Sequence, residues 1–398
     1  RDVLGSRGLG DVYKRQANNI EMQVRDLSRT LQTKYYQEIY KKTNIRFFEK
    51  ERKRYLFYLI FAVPLTSIIF LGLVLLSQNL YEALVVLIVG LSLVILVYNN
   101  ISKSFAAKFK NTYYDCIAET VGLKWLQGDF EYTYSSSIQK SKLFSAKVCM
   151  REDDIFYGNY NGVKLKIAEA DIADRAFCTG DKKTETLVPK QFHGVFGFFE
   201  ANKKIESTTI VKPKVDFELS YSKLVVMMFI LLVAAAAAAV LGFGIKSMIS
   251  GGFSLPVSLW ILGGLGIFAF ACWQFMDILV LKELRFRRNF QRVNLEDTEF
   301  NKLYQAYSYD QVEGRYLLTT AFIDRFLHVG KVFKTNRLRC SFAQNKLILA
   351  IPANRNMFEL GSLFSTVTNS KKISRFYDEI ASLLILIDYF KLDNKTNL

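Results

Sequence analysis

The chain has 398 residues, 51% of them hydrophobic, a formal net charge of +16 and a mean hydropathy of +0.12. That apolar content exceeds what a soluble core needs. The positive charge first suggests nucleic acid, but it collects beside apolar runs and not along a stripe with stacking aromatics, so no nucleic-acid partner is expected. Five cysteines with no C-x-x-C exclude a zinc ribbon or a redox dithiol. They fit a reducing compartment, as small buried hydrophobes.

Residues 1–16 (RDVLGSRGLGDVYKRQ) resemble translated sequencing-adapter read-through and are set aside as a probable artefact. Over 17–54, Ile20, Val24, Leu27, Leu31, Tyr35 and Ile39 recur every three or four residues, which predicts an amphipathic helical arm. Such an arm can lie on anionic headgroups, form a short coiled coil or dock on the protein's own domain.

Residues 55–98 hold a first apolar pair (55–76 and 80–98), and 224–281 a second (224–245 and 257–281). Each run is about 20 residues, enough at about 1.5 Å per residue to cross a hydrocarbon core of about 30 Å. Four transmembrane helices in two hairpins are therefore predicted. Basic residues crowd 41–54, recur at Lys103, Lys108 and Lys110, and return between Lys282 and Arg292, whereas the loop at 77–79 is uncharged. Lysine and arginine collect on the cytoplasmic side. Both termini and both long polar segments, 99–223 and 282–398, are thus expected in the cytoplasm of a multi-pass protein of a bacterial inner membrane. Asp277, inside the last run, is read as an interfacial partner of Lys282 and Arg285. As an ion-path residue it would point instead to a small oligomeric channel or transporter component.

Phe105, Phe109, Tyr113, Ile117 and Val121 continue a helical stripe that stops at Gly122. A short helix is predicted near 137–144. Strands at 155–160 and 163–167 flank Asn161-Gly162, a strong hairpin signal. Residues 180–190 suggest an exposed loop, and 192–200 a strand that returns through 208–212. Later, Thr319 or Thr320 caps a helix to about Lys331, a hairpin covers 337–343 and 346–351, and Ser370 caps a last helix with a stripe from Ile373 to Phe390. Antiparallel hairpins with separate helices imply an α+β cytosolic domain, split by the second membrane hairpin.

Among polar groups, Asp310, Glu313 and Arg315 (in YDQVEGRY) are the densest set and the candidate ligand or partner surface, since arginine pairs bidentately with anions. The plainer reading has Asp310 capping a turn and Glu313 paired with Arg315. Glu152, Asp153 and Asp154 lack calcium-loop spacing and suggest a solvated turn, and 295–299 a polar helix start. His193 and His328 stand alone, and no G-x-S-x-G, H-E-x-x-H or Walker loop occurs. No catalytic, cofactor-binding or metal site is assigned.

Two blocks of sequence resemble a known bacterial family, the domain of unknown function numbered 3137. The first is 141–172 (SKLFSAKVCMREDDIFYGNYNGVKLKIAEADI) with 192–213 (FHGVFGFFEANKKIESTTIVKP); the second is 293–319 (VNLEDTEFNKLYQAYSYDQVEGRYLLT). The resemblance implies an N-terminal helix, a membrane hairpin and a cytosolic domain, and no established reaction. This chain departs by carrying another hairpin between the blocks. The expectation is an integral membrane protein presenting a cytosolic binding or assembly module, with the lipid bilayer and a protein partner or a second copy as partners. A channel or transporter component, or a membrane-tethered enzyme, are the alternatives.

Overall fold

The computed structural model describes residues 3–40, 45–76, 79–128, 131–144, 148–174, 190–201, 204–214, 290–366 and 368–391, with scattered positions between 228 and 273. Helix α1 (Val3–Lys34) runs into a π-helical turn (Tyr35–Ile39). Its stripe is buried but for the half-buried Leu27, with Ile20 and Val24 packed on Ala381 and Ile385 near the other end of the chain. Of the three fates the stripe permits, the structure shows docking on the protein's own domain.

Helices α2 (Ile45–Leu76) and α3 (Leu80–Val121) form a hairpin, with the Tyr55 ring against Phe105. Both are long and apolar enough to cross a membrane, and only 0% and 6% of their most apolar windows is buried. A core helix of a soluble protein passes the same length test but hides that surface. The other ends of these helices behave differently. Ile45 and Phe48 of α2 and Phe105, Phe109, Tyr113, Ile117 and Val121 of α3 enter the main core. Gly122, at φ 77°, ends α3 in the left-handed conformation that suits glycine. The 42 residues of α3 make a strut of about 63 Å at about 1.5 Å per residue. The second apolar pair, with Asp277, lies outside the described residues apart from scattered helical positions, as do residues 180–189 of the expected loop at 180–190.

After α3 come β1 (Leu123–Gln127), β2 (Thr133–Tyr134), α4 (Ser136–Ser141), β3 (Val148–Tyr160), β4 (Val163–Asp174), β5 (Lys190–Glu200) and β6 (Thr209–Pro213). Beyond the second apolar pair follow β7 (Gln291–Val293), α5 (Thr298–Leu303), β8 (Tyr304–Ser308), α6 (Gln311–Leu317), α7 (Thr320–Phe333), β9 (Arg339–Ala343), β10 (Lys346–Pro352) and α8 (Ser370–Lys391). The fold is α+β. One antiparallel sheet has the order β1-β3-β4-β5-β10-β9-β6-β8-β7, with β2 on β3. Strands from before residue 214 and after residue 290 therefore alternate within it.

The hairpin at Asn161-Gly162 forms with positive φ at both turn residues, as a type I′ turn requires. The predicted return of 192–200 through 208–212 does not, because β10 and β9 stand between β5 and β6. Every side chain of β9 is buried, which suits a central strand covered on both faces better than an edge. Thr319 caps α7, whereas α8 is capped by Asn369, one residue before the expected Ser370. Cys116 and Cys340 form no disulfide. Cys149 corrects the reading of unpaired cysteines: it is disulfide-bonded.

Candidate functional site

Strands β3, β4 and β5 lie side by side, and their register sets one row of charge. Arg151 stands opposite Asp171, and Asp171 opposite His193. Side chains alternate along a strand, so Val163, Leu165, Ile167, Glu169 and Asp171 share one face of β4. The first three belong to the main core. The last two reach a half-open cleft of 190 Å³ lined also by Arg151, Lys190, His193 and Asn356. Beside them β3 bulges. Glu152 pairs with Ala170 and Ile155 with Ala168, so Asp153 and Asp154 together face Glu169. The bulge overturns the expectation of a solvated turn, since Asp154 is fully buried. Its carboxylate accepts from Lys110 Nζ of α3 at 2.7 Å and from the Trp125 indole at 3.2 Å.

His193 is the hub. Its Nδ1 lies 2.7 Å from Asp171 Oδ1 and its Nε2 3.4 Å from Glu169 Oε1. The second oxygen of Asp171 accepts from Arg151 at 2.7 Å and from Lys190 at 2.9 Å. Glu169 Oε2 accepts from the backbone N–H of Met357 at 3.1 Å. Burial works to raise the Asp171 carboxyl, but hydrogen bonds from His193, Lys190 and Arg151 outweigh it and hold it at about 2. Burial pushes Glu169 up to about 7 against the pull of His193 and Met357 N–H. The hydrogen bond to Asp171 raises His193. Burial also raises Asp154 to about 6 in spite of Lys110.

Glu169, raised by burial, and His193, raised by its hydrogen bond to Asp171, thus stand side by side in the cleft, and shifted titratable neighbours of this kind are what a general acid–base pair is built from. Among the described residues no hydroxyl or thiol side chain lines the cleft. Among the described residues no three His, Cys, Asp or Glu side chains are placed to hold a metal ion. His328 sits elsewhere, on α7, with its pKa lowered by burial.

The sequence-derived set lies on a different part of the sheet, around α6. Asp310 caps that helix by accepting from Val312 N–H at 2.8 Å. The Glu313 carboxylate accepts from Glu206 and Ser207 N–H at 2.9 and 2.7 Å, tying α6 to the approach of β6. Arg315 is exposed on the same helix. Residues 190–392 match the family described as "Protein of unknown function (DUF3137)". The chain belongs to this family. No curated protein and no solved structure matches it.

The DUF3137 span begins at β5 and ends past α8, so it contains Lys190 and His193 together with Asp310, Glu313 and Arg315. Arg151, Glu169 and Asp171 come from outside it, as do α2 and α3. The cleft is therefore built across the margin of the family's segment. Sequence reasoning missed it because Asp171 is 22 residues from His193. One signal was available: the apolar alternation of β4 continues into Glu169-Ala170-Asp171, which puts two acids on a face otherwise given to the core.

Proposed function

We propose that this chain is a multi-pass protein of a bacterial cytoplasmic membrane that holds its α+β domain at the inner face as a binding or assembly module, without catalysis. One observation carries the reading: α2 and α3 pass unbroken from exposed apolar surface into the buried core. Lipid would satisfy the first surface, and the domain would be fixed to the bilayer by its own core helices. The basic residues at the core-side ends favour the cytoplasmic side. The Cys149 disulfide pulls toward an oxidising compartment. It carries less weight, since lone disulfides also occur in cytosolic proteins as redox-responsive pairs.

The surface proposed to meet a protein partner or a second copy is the outer side of α6. There Arg315 stands with Val312 and Tyr316, 79% and 53% exposed. Asp310 and Glu313 hold that helix in place. Arginine and tyrosine beside an apolar residue make a typical interface centre. Crosslinking of the full chain in native membranes, followed by mass spectrometry, tests this. A partner or self-adduct through α6, lost on Val312→Asp, is expected; recovery of neither would refute the module. An enzyme is the alternative, and its turnover would have to vanish on His193→Gln.

A further inference from the structure

The segment after β10 ends in a turn whose composition is wrong for water. Ser365 N–H donates to Ser362 O at 3.1 Å, and the two serines form an isolated bridge. Leu363 and Phe364 therefore occupy the central positions, where Gly, Pro, Asn and Asp are the norm. Leu363 is buried, but Phe364 is 61% exposed.

Three anchors fix this turn against the helix hairpin. Arg52 Nη1 of α2 donates to Leu363 O at 2.9 Å, while its charge is paired with Glu49. The Tyr114 hydroxyl of α3 donates to Phe358 O and accepts from Leu360 N–H. Gly361 lies so close to Phe109 that a Cβ would stand 2.9 Å from the ring. Phe364 then stacks on Tyr98 at 6.0 Å between centroids.

Tyr98 gives the depth. It precedes Lys103, an exposed base, by five residues of α3, which is about 7.5 Å at about 1.5 Å per residue. On the α2 side Phe57, Tyr58 and Phe61 are exposed, beyond the exposed bases Lys53 and Arg54. Aromatic rings next to a basic collar mark the headgroup level of a bilayer, and apolar groups buried about 5–10 Å into that zone bind it.

We infer that the turn at 362–365 is a lipid-inserted finger, with Phe364 embedded in the interface of the leaflet that α2 and α3 enter. The finger would brace the domain against the membrane at a point separate from the helices. It rests on the reading of α2 and α3 as spans, and the test separates the two. The full chain is reconstituted in phosphatidylethanolamine–phosphatidylglycerol vesicles with p-benzoylphenylalanine placed in turn at Phe364, at Leu71 in the exposed part of α2, and at Tyr157. Tyr157 is exposed beside Gly158, which pairs with Leu123 just past the far end of α3. Irradiation and mass spectrometry should give lipid adducts at 71 and 364 and none at 157. Lipid adducts at 71 with none at 364 would overturn the finger and leave the spans standing. No adduct at 71 would overturn the spans themselves. All three positions are exposed, and the replacement keeps an aromatic ring at 364 for the stack on Tyr98.

Discussion

Replacing Glu169 with glutamine removes a charge that the β3 bulge buries beside Asp153 and Asp154. The carboxyl ionises near 4.5 in an unfolded chain and at about 7 in the fold, because burial disfavours the anion. The folded state therefore keeps a proton that the unfolded state loses, and stability declines as pH rises from about 4.5 to about 7. At about 1.4 kcal/mol for each tenfold change in proton affinity, the decline from this one group is about 3 kcal/mol. Glutamine has no proton to lose, and its amide oxygen can still accept from Met357 N–H. The variant should match the native protein near pH 4.5. By pH 8 it should exceed it by about 3 kcal/mol, since the value of about 7 already includes the pull of His193. Burial holds Asp154 at about 6 and Glu379 at about 7. Glu379 titrates equally in the two proteins and cancels from the difference between the curves, whereas Asp154, whose charge raises Glu169, shifts with it. The assay is denaturant unfolding of the full chain in detergent micelles from pH 4.5 to 8, followed by near-UV circular dichroism. Parallel curves, or a variant weaker than the native protein at pH 8, would refute the argument.

Three further outcomes follow from the same geometry. Asp171→Asn should lower the His193 pKa, since the hydrogen bond to Asp171 is what raises it; the protein's two histidines make this readable by NMR of labelled imidazoles. An unmoved His193 titration would contradict the hub arrangement. Gly194→Ala should cost about 3 kcal/mol or more, because the new Cβ would lie 2.0 Å from Ile351 O on the neighbouring strand; an unchanged melting temperature would contradict the β5–β10 register. Glu313→Ala should cost about 1–2 kcal/mol through two lost N–H partners, whereas Arg315→Ala should stay within about 0.5 kcal/mol. Thermal melts of the pair would expose a reversal.

Much of the local structure was legible in the sequence because it depends on neighbours a few residues apart. The stripe from Phe105 to Val121 repeats at helical spacing, Gly122 stops it, and Asn161-Gly162 bends the chain back on itself. Sheet order was not legible. Nothing near Phe192 or Thr209 announces that β9 and β10 will come between their strands from the far side of the second apolar pair. The cleft stayed hidden for a related reason. Its charges meet across strands, and the bulge that buries Asp154 is a property of how β3 pairs with β4. The α6 residues were noticed because they are dense in sequence, yet the fold uses Asp310 and Glu313 for capping and tethering.

The central claim is that lipid surrounds the exposed apolar helices and that the α+β domain faces the cytoplasm. A green fluorescent protein fused after Leu398, with the fusion made in a bacterial host and its fluorescence read in carbonate-washed membranes, tests both halves at once. The account expects a fluorescent membrane pellet. Fluorescence released into the wash, or a full-length fusion in the pellet that does not fluoresce, would contradict it.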